Sequence, residues 1–254
     1  MTEVRAIAFD CDGVLADNAS SWQNIHDYFG TENKEMLARF LAKEITDEEF
    51  VKDDIRMWRD IQPEIHRDEI MRVYSGIKLM DGARDVIQEL KSRGILIAIV
   101  SSGVDLLVGT IANMLRVDDW AANGFEWDEK GWLIGPMSTR VDSHDKGAMV
   151  EKFARINSIS PEEIVSIGDS GPDLSMRIPG SRFIGFNPAR ERASAAFKSA
   201  GVPVVNSQDL RDIWMPIFGG KYLEVSGCGG VGERKWWGAE VSGSGSVGER
   251  KCRG

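Results

Sequence analysis

A chain of 254 residues, 42% hydrophobic and 28% charged, is long enough to bury a core without covalent staples. Its 40 acidic against 31 basic side chains give a formal net charge of −9, which argues against the basic field of a nucleic-acid binder. Three cysteines make no disulfide framework, and the longest uninterrupted apolar run, residues 95–100, falls far short of the roughly 20 residues of a membrane span.

The opening MTEVRAIAFD carries no basic-then-apolar leader, so a soluble cytoplasmic protein is expected, monomeric or homodimeric, with no nucleic-acid or membrane partner. Residues 4–9 are apolar apart from Arg5 and carry β-branched and aromatic side chains, which predicts a buried strand ending at an Asp. From 20 to 75 the rhythm is helical: Trp22, Ile25 and Phe29, then Met36, Leu37, Phe40 and Leu41, then Phe50, Ile55 and Trp58. Thr46, with Glu49 three residues on, has the spacing of a capping box opening the third helix. Beyond Asp81 the pattern alternates. A helix is predicted over 83–92, a strand over 95–100 and a helix over 106–115. Strands at 123–127 and 132–134 flank a DEKG turn as a hairpin, and a helix follows over 146–156. Short strands are predicted at 164–167, 182–186 and 202–205. Such alternation implies an α/β fold, a Rossmann-like parallel sheet with helices on both faces, whose strand C-termini share one ligand-binding edge.

The predicted organisation is a core from residues 1–16 and 79–218, a helical insertion over 17–78, and a Gly-rich tail over 219–254. The tail holds a near repeat, VSGCGGVGERK at 225–235 and VSGSGSVGERK at 241–251, and too little apolar surface to offset its ordering entropy. It is expected to be disordered, with Cys228 and Cys252 lacking the further ligands of a metal site.

Four features carry chemistry. The run Asp10-Cys11-Asp12-Gly13 follows the first strand and sets two carboxylates together; they repel one another unless a cation intervenes. Gly13 allows a tight exit from the strand. Ser101-Ser102-Gly103 follows the strand at 95–100, where a hydroxyl before a helix suits a phosphate oxygen. Lys146 opens a helix, an unfavourable place for a cation unless an anion is near. Gly168-Asp169-Ser170-Gly171-Pro172-Asp173 brings two more carboxylates to a strand end, an all-oxygen set suited to Mg²⁺. Each alone also reads as a turn, an N-cap or a solvated side chain.

In this order and context, the four motifs resemble those of the haloacid dehalogenase superfamily of aspartyl-phosphate phosphatases, over about residues 4–218. FDCDGVLAD, GDSGPDLSM, the hairpin and the position of the helical block are similar to the phosphoserine-phosphatase-like branch, in which residues 17–78 would be a small helical cap domain. The resemblance implies that Asp10 attacks phosphorus, that Asp12 protonates the leaving alcohol and then deprotonates water, and that Ser101, Ser102 and Lys146 hold the phosphoryl oxygens. Mg²⁺ would sit on the Asp10 and Asp169 carboxylates and the Asp12 carbonyl, with Gly13 and Asp173 in support. Two departures bear on substrate. The branch's ammonium-gripping Glu is replaced by Ala19, and Arg56 and Arg59, three apart on the third cap helix, are the candidates for a substrate anion without aligning to the family's Arg. The implied function is hydrolysis of a small phosphorylated metabolite, phosphoserine among the candidates. The alternatives are a phosphotransferase or mutase of the same chemistry, or a non-catalytic phosphate-ligand sensor. His26, His66 and His144 show no ligand spacing, though His144 lies two residues from Lys146. Trp22, Trp58 and Trp120 are expected to pack on helical faces, and Cys11 to be a small core residue.

Overall fold

The computed structural model describes residues 3–188 and 190–222. Strand β1 (Ala6–Phe9) alternates small and large side chains, and that alternation splits the core into two layers. Ile7 and Phe9 face one apolar cluster. Ala6 and Ala8 face a second. β1 is fully buried between two parallel neighbours, β4 (Leu96–Val104) and β8 (Ile164–Gly168), with Phe9 opposite both Ile99 and Ile167. The sheet is completed by β5 (Asp119–Asn123), β9 (Arg182–Phe186) and β10 (Val204–Val205), in the order β10-β9-β8-β1-β4-β5. All its pairings are parallel. The chain leaves β1 toward β4 on one side and later returns to β8 on the other, so β1 marks the switch point where such sheets open a crevice.

Helices α5 (Ala83–Ser92) and α6 (Asp105–Leu115) cover the face of Ile7 and Phe9. Helices α7 (Gly147–Asn157) and α8 (Glu191–Ser199) cover the other, where Ala6, Ala8 and Ala98 let Val150 and Phe153 pack close to the strands. Between the short antiparallel strands β2 (Ala16–Asp17) and β3 (Lys78–Leu79) lie four helices: α1 (Ser21–Phe29), α2 (Lys34–Leu41), α3 (Asp47–Ile61) and α4 (Arg67–Val73). Thr46 and Glu49 form the expected capping box at the start of α3. Ile25, Phe29, Ile55 and Trp58 of this block belong to the same cluster as Ile7 and Phe9, so block and sheet share one continuous core. His26, buried against Trp58, takes part in a polar group with Thr31 and Asp54.

Several boundaries differ from the sequence reading. The strand predicted over 95–100 runs on to Val104, because its pairing with β5 slips between Val100 and Val104 and still holds on both sides of the slip. Ser101–Gly103 therefore lies inside an irregular strand end, and α6 begins at Asp105, one residue before the predicted start. The hairpin is β6 (Phe125–Trp127) with β7 (Leu133–Pro136); the residues just before it form the sheet's edge strand β5. Trp120 therefore sits on a strand, not on a helical face, with its ring against Gly109 of α6. A five-residue edge strand is too short for periodicity to separate it from helix. At the C-terminal side, helix α9 (Trp214–Phe218) ends at Gly219, and Tyr222 packs its ring on Trp214 at 5.1 Å, so packing extends past the boundary expected at 218. The remainder of the Gly-rich tail, 223–254, lies outside the described residues.

Trp58 is fully buried and joins the helical block to the shared core. Trp58→Ala should lower the unfolding free energy by about 3–5 kcal/mol and shift a single transition in chemical denaturation. Two separated transitions would show that the block melts independently of the sheet.

Candidate active site

Asp10 follows directly on β1, and its N–H donates to the Ile167 carbonyl of β8 at 2.9 Å. That bond carries the β1–β8 register one residue past the strand and brings Asp10 beside Gly168 and Asp169. On the other side, Phe9 pairs with Ile99 and thereby brings Ser101 to the same edge. Lys146 arrives from the N-terminal end of α7, where its N–H donates to Ser175 Oγ at 3.0 Å. The four sequence motifs thus meet at the C-terminal edge of β8, β1 and β4.

Lys146 is the electrostatic centre. Its side chain is 3% exposed, and its ammonium donates to Asp10 Oδ1 at 2.8 Å and to Asp173 Oδ1 at 2.5 Å. Asp173, with no exposed surface, accepts from the Ser170 N–H at 2.9 Å and the Ser170 hydroxyl at 2.6 Å on its other oxygen. The Ser170 cap on a short 3₁₀ turn fixes Asp173, and Asp173 fixes Lys146. Carboxylate oxygens of Asp10, Asp169 and Asp173 lie within 4.8 Å of one another. Three carboxylates against one ammonium leave two negative charges in a nearly closed space. Burial is the largest cause pushing the Asp10 carboxyl up to about 7, against the pull of Lys146. Burial, followed by the charges of Asp173 and Asp10, pushes Asp169 up to about 8. Burial opposes the Lys146 charge, but Asp10 and Asp173 outweigh it and hold the ammonium well above its usual range. An all-oxygen donor set with uncompensated negative charge fits a hard divalent cation. Gly13, at φ +76°, makes room for this set: a Cβ there would stand 2.7 Å from Asp169 Oδ2.

Asp12 is not one of these three carboxylates and has partners of its own. Its carboxylate accepts from Asn18 Nδ2 at 2.8 Å and from both the N–H and the hydroxyl of Ser21, at 2.8 and 2.7 Å. Cys11, between the two aspartates, is fully buried in the core as expected. Ser101 is buried and its hydroxyl accepts the Gly103 N–H at 3.1 Å, while the Ser102 carbonyl accepts the Trp22 indole N–H at 2.9 Å.

Arg56 and Arg59 are engaged away from this edge. Arg56 is exposed and pairs with Asp53 at 2.8 Å and Asp60 at 3.5 Å on its own helix. Arg59 donates to the Leu133 and Ile134 carbonyls of the hairpin. Among the described residues, neither has a hydrogen bond or ion pair to the carboxylate cluster. The His144 ring lies tilted against Phe40 at 4.9 Å with Nε2 3.2 Å from the Phe40 carbonyl, and Ser143 donates its hydroxyl to Asp47 at the start of α3. These contacts join the helical block to the loop that carries Lys146. The sequence reading missed Asn18, Ser21, Ser143 and Asp47. Only Ser21 left a trace, as a polar residue opening α1; the others meet partners across turns or 96 residues of chain. A groove of about 320 Å³ lined by Trp120, Arg140, Met149, Lys152 and Phe153 holds none of the site residues.

The pattern of haloacid dehalogenase-like hydrolases matches residues 4–178, well over half of the sequence. The chain belongs to the haloacid dehalogenase-like hydrolase family. A phosphoserine phosphatase of Archaeoglobus fulgidus is 30% identical over 187 residues, covering 73% of this chain and 53% of that protein. One of Methanocaldococcus jannaschii is 28% identical over 212 residues, covering 82% of this chain and 95% of the relative. The chain thus spans about half the length of the first relative and nearly all of the second. A solved phospho-aspartyl intermediate analogue of phosphoserine phosphatase is 26% identical with a TM-score of 0.66, over 85% of this chain and 100% of that one. The α/β reading and the resemblance to the phosphoserine-phosphatase-like branch are borne out: the chain is an enzyme of this hydrolase family, whose members use a divalent metal. No described helix is long and apolar enough to cross a membrane.

The raised Asp10 and Asp169 values carry a sign. Groups whose folded pKa lies above the unfolded one contribute stability at low pH that is lost as pH rises through the folded value. The metal-stripped protein should therefore lose Tm between about pH 4 and about pH 8 as these buried carboxyls ionise. A divalent cation should restore it, with a larger shift at the upper end. An equal shift at both ends, read by thermal melting, would show that these carboxylates are not the metal site.

Proposed function

We propose that the protein is a Mg²⁺-dependent phosphomonoesterase acting on a small phosphorylated metabolite. The observation that carries this reading is the Asp10–Lys146–Asp173 arrangement with Asp169 alongside, at the edge of the central strands. Asp10 is the nucleophile: one of its oxygens bonds to phosphorus in line as the ester P–O bond breaks. Asp12 gives its proton to the leaving oxygen, then takes one from the water whose oxygen attacks phosphorus. That second step breaks the bond to Asp10 and releases phosphate. Lys146 neutralises the phosphoryl oxygens, with Ser101 and Ser102 and the backbone around them as further donors, and Asp173 keeps the ammonium in place. Asp10, Asp169 and the Asp12 carbonyl would hold Mg²⁺, which when bound draws charge from the transferring phosphoryl group. Residues 17–78 serve as the cap that selects substrate and excludes water.

The relatives' names make phosphoserine the reference substrate. Ala19, where an ammonium-gripping Glu is expected, favours a ligand held without that contact, and Arg56 and Arg59 already have partners within the protein. A site built to hydrogen-bond a polar group rejects an analogue lacking it by about 10⁴-fold. Phosphoserine and its des-amino analogue should therefore differ by less than about tenfold in kcat/KM, and a loss near the larger figure would restore phosphoserine as the substrate. Asp10→Asn should retain less than about a hundredth of wild-type turnover, since several kcal/mol of transition-state stabilisation go with the nucleophile. Phosphate release near the wild-type rate would remove Asp10 from that role.

A further inference from the structure

We infer that Ser21 and Asn18 are positioning residues that aim the Asp12 proton donor, and that Asp12 carries the transferred proton on Oδ1. The inference rests on the acid–base role given to Asp12 above and adds the groups that orient it. Each carboxylate oxygen offers two lone-pair sites. Oδ2 accepts the Ser21 N–H at 2.8 Å and the Ser21 hydroxyl at 2.7 Å, so both of its sites are filled. Among the described residues Oδ1 accepts one hydrogen bond, from Asn18 Nδ2 at 2.8 Å, which leaves it a second site. That second site is where a proton can be carried to the leaving group and received back from water.

The direction of the Ser21 hydroxyl is itself determined. Val104 N–H donates into Ser21 Oγ at 2.9 Å, which leaves the hydroxyl proton to point at Asp12. Ser21 has no exposed surface, so water does not compete for it. Tyr74 Oη, also buried, reaches the Ser21 carbonyl at 3.3 Å. Gly103 completes the fit: a Cβ there would stand 2.6 Å from Ser21 Oγ and 2.8 Å from Asp12 Oδ2, so any side chain would wedge the pair apart. Ser21 opens α1 of the helical block, whereas Val104 ends β4 of the sheet. The hydroxyl therefore links the seating of the block to the orientation of Asp12. Two of the three hydrogen bonds on the carboxylate come from Ser21, so the seating of α1 sets how the carboxyl group is held.

Leaving-group dependence separates this role from a structural one. In the first half-reaction the ester P–O bond breaks, Asp10 gains phosphorus, and an alkoxide takes the Oδ1 proton. A p-nitrophenolate leaves without that proton. kcat/KM reports this half-reaction alone, so it is measured for an alkyl phosphate and for p-nitrophenyl phosphate in wild type, Asp12→Asn, Ser21→Ala, Asn18→Ala and Gly103→Ala. Asp12→Asn should depress the alkyl ester selectively, and the other variants should reproduce that selectivity, with a loss of at least about tenfold on the alkyl ester and little on the aryl ester. An Asp12→Asn loss that is equal on both esters overturns the acid role itself, and the inference with it. A selective Asp12→Asn accompanied by equal losses, or none, in the Ser21 and Asn18 variants overturns the positioning inference alone. Asn18 is only half-buried, so its variant keeps the test decisive if Ser21→Ala fails to fold, as read by its melting transition.

Discussion

The ammonium of Lys146 between Asp10 and Asp173 is the interaction on which the site depends. Two carboxylates and a third at Asp169 cannot share a buried space unless positive charge enters it, and α7 delivers that charge from the opposite face of the sheet. The cost of burying these ions is set against close hydrogen bonding: Asp173 is satisfied by Ser170, and Lys146 by both carboxylates. What remains uncompensated is negative, and it is the charge a divalent cation would meet. Removing Lys146 would leave Asp10 and Asp173 facing one another with no counter-charge, so the residue proposed to neutralise the phosphoryl group also offsets their mutual repulsion.

The sheet sets the precision of this arrangement. Asp10 and Asp169 directly follow β1 and β8, and Ser101 lies in β4, three adjacent parallel strands whose register is held by a continuous ladder, with side chains of β1 buried on both faces. Sites on strand ends move little, because displacing one residue would break pairings along the whole strand. The helical block is joined to this frame in two different ways. Its apolar face merges with the core around Trp58 and Phe125, whose rings meet edge to face at 5.9 Å. Its polar ties, Ser21 to Asp12, Asp47 to Ser143 and Arg59 to the hairpin carbonyls, all end close to chemistry-bearing segments or on the element that flanks them. Burial pushes the Asp47 carboxyl up, and the Ser143 hydrogen bonds pull it back.

The sequence by itself determined the fold class and the motif set. Alternating strand and helix patterns over short distances report local burial, and Asp, Gly, Ser and Lys at strand and helix ends report where chemistry can gather. Both are local properties, written in residues a few positions apart. Tertiary structure alone decided the rest. Nothing near Asp12 in sequence says that Ser21 fills one of its oxygens and Asn18 half of the other, since that depends on how α1 turns back over β1 and β4. The spacing of Arg56 and Arg59 suggested one shared anion site, yet Arg56 closes on Asp53 and Arg59 reaches a hairpin 74 residues away. The edge strand β5 stayed hidden because five residues are too few to display a period, and its pairing with β4 exists only in space. Long-range pairing and side-chain direction are products of closure of the whole chain, and no window of neighbouring residues contains them.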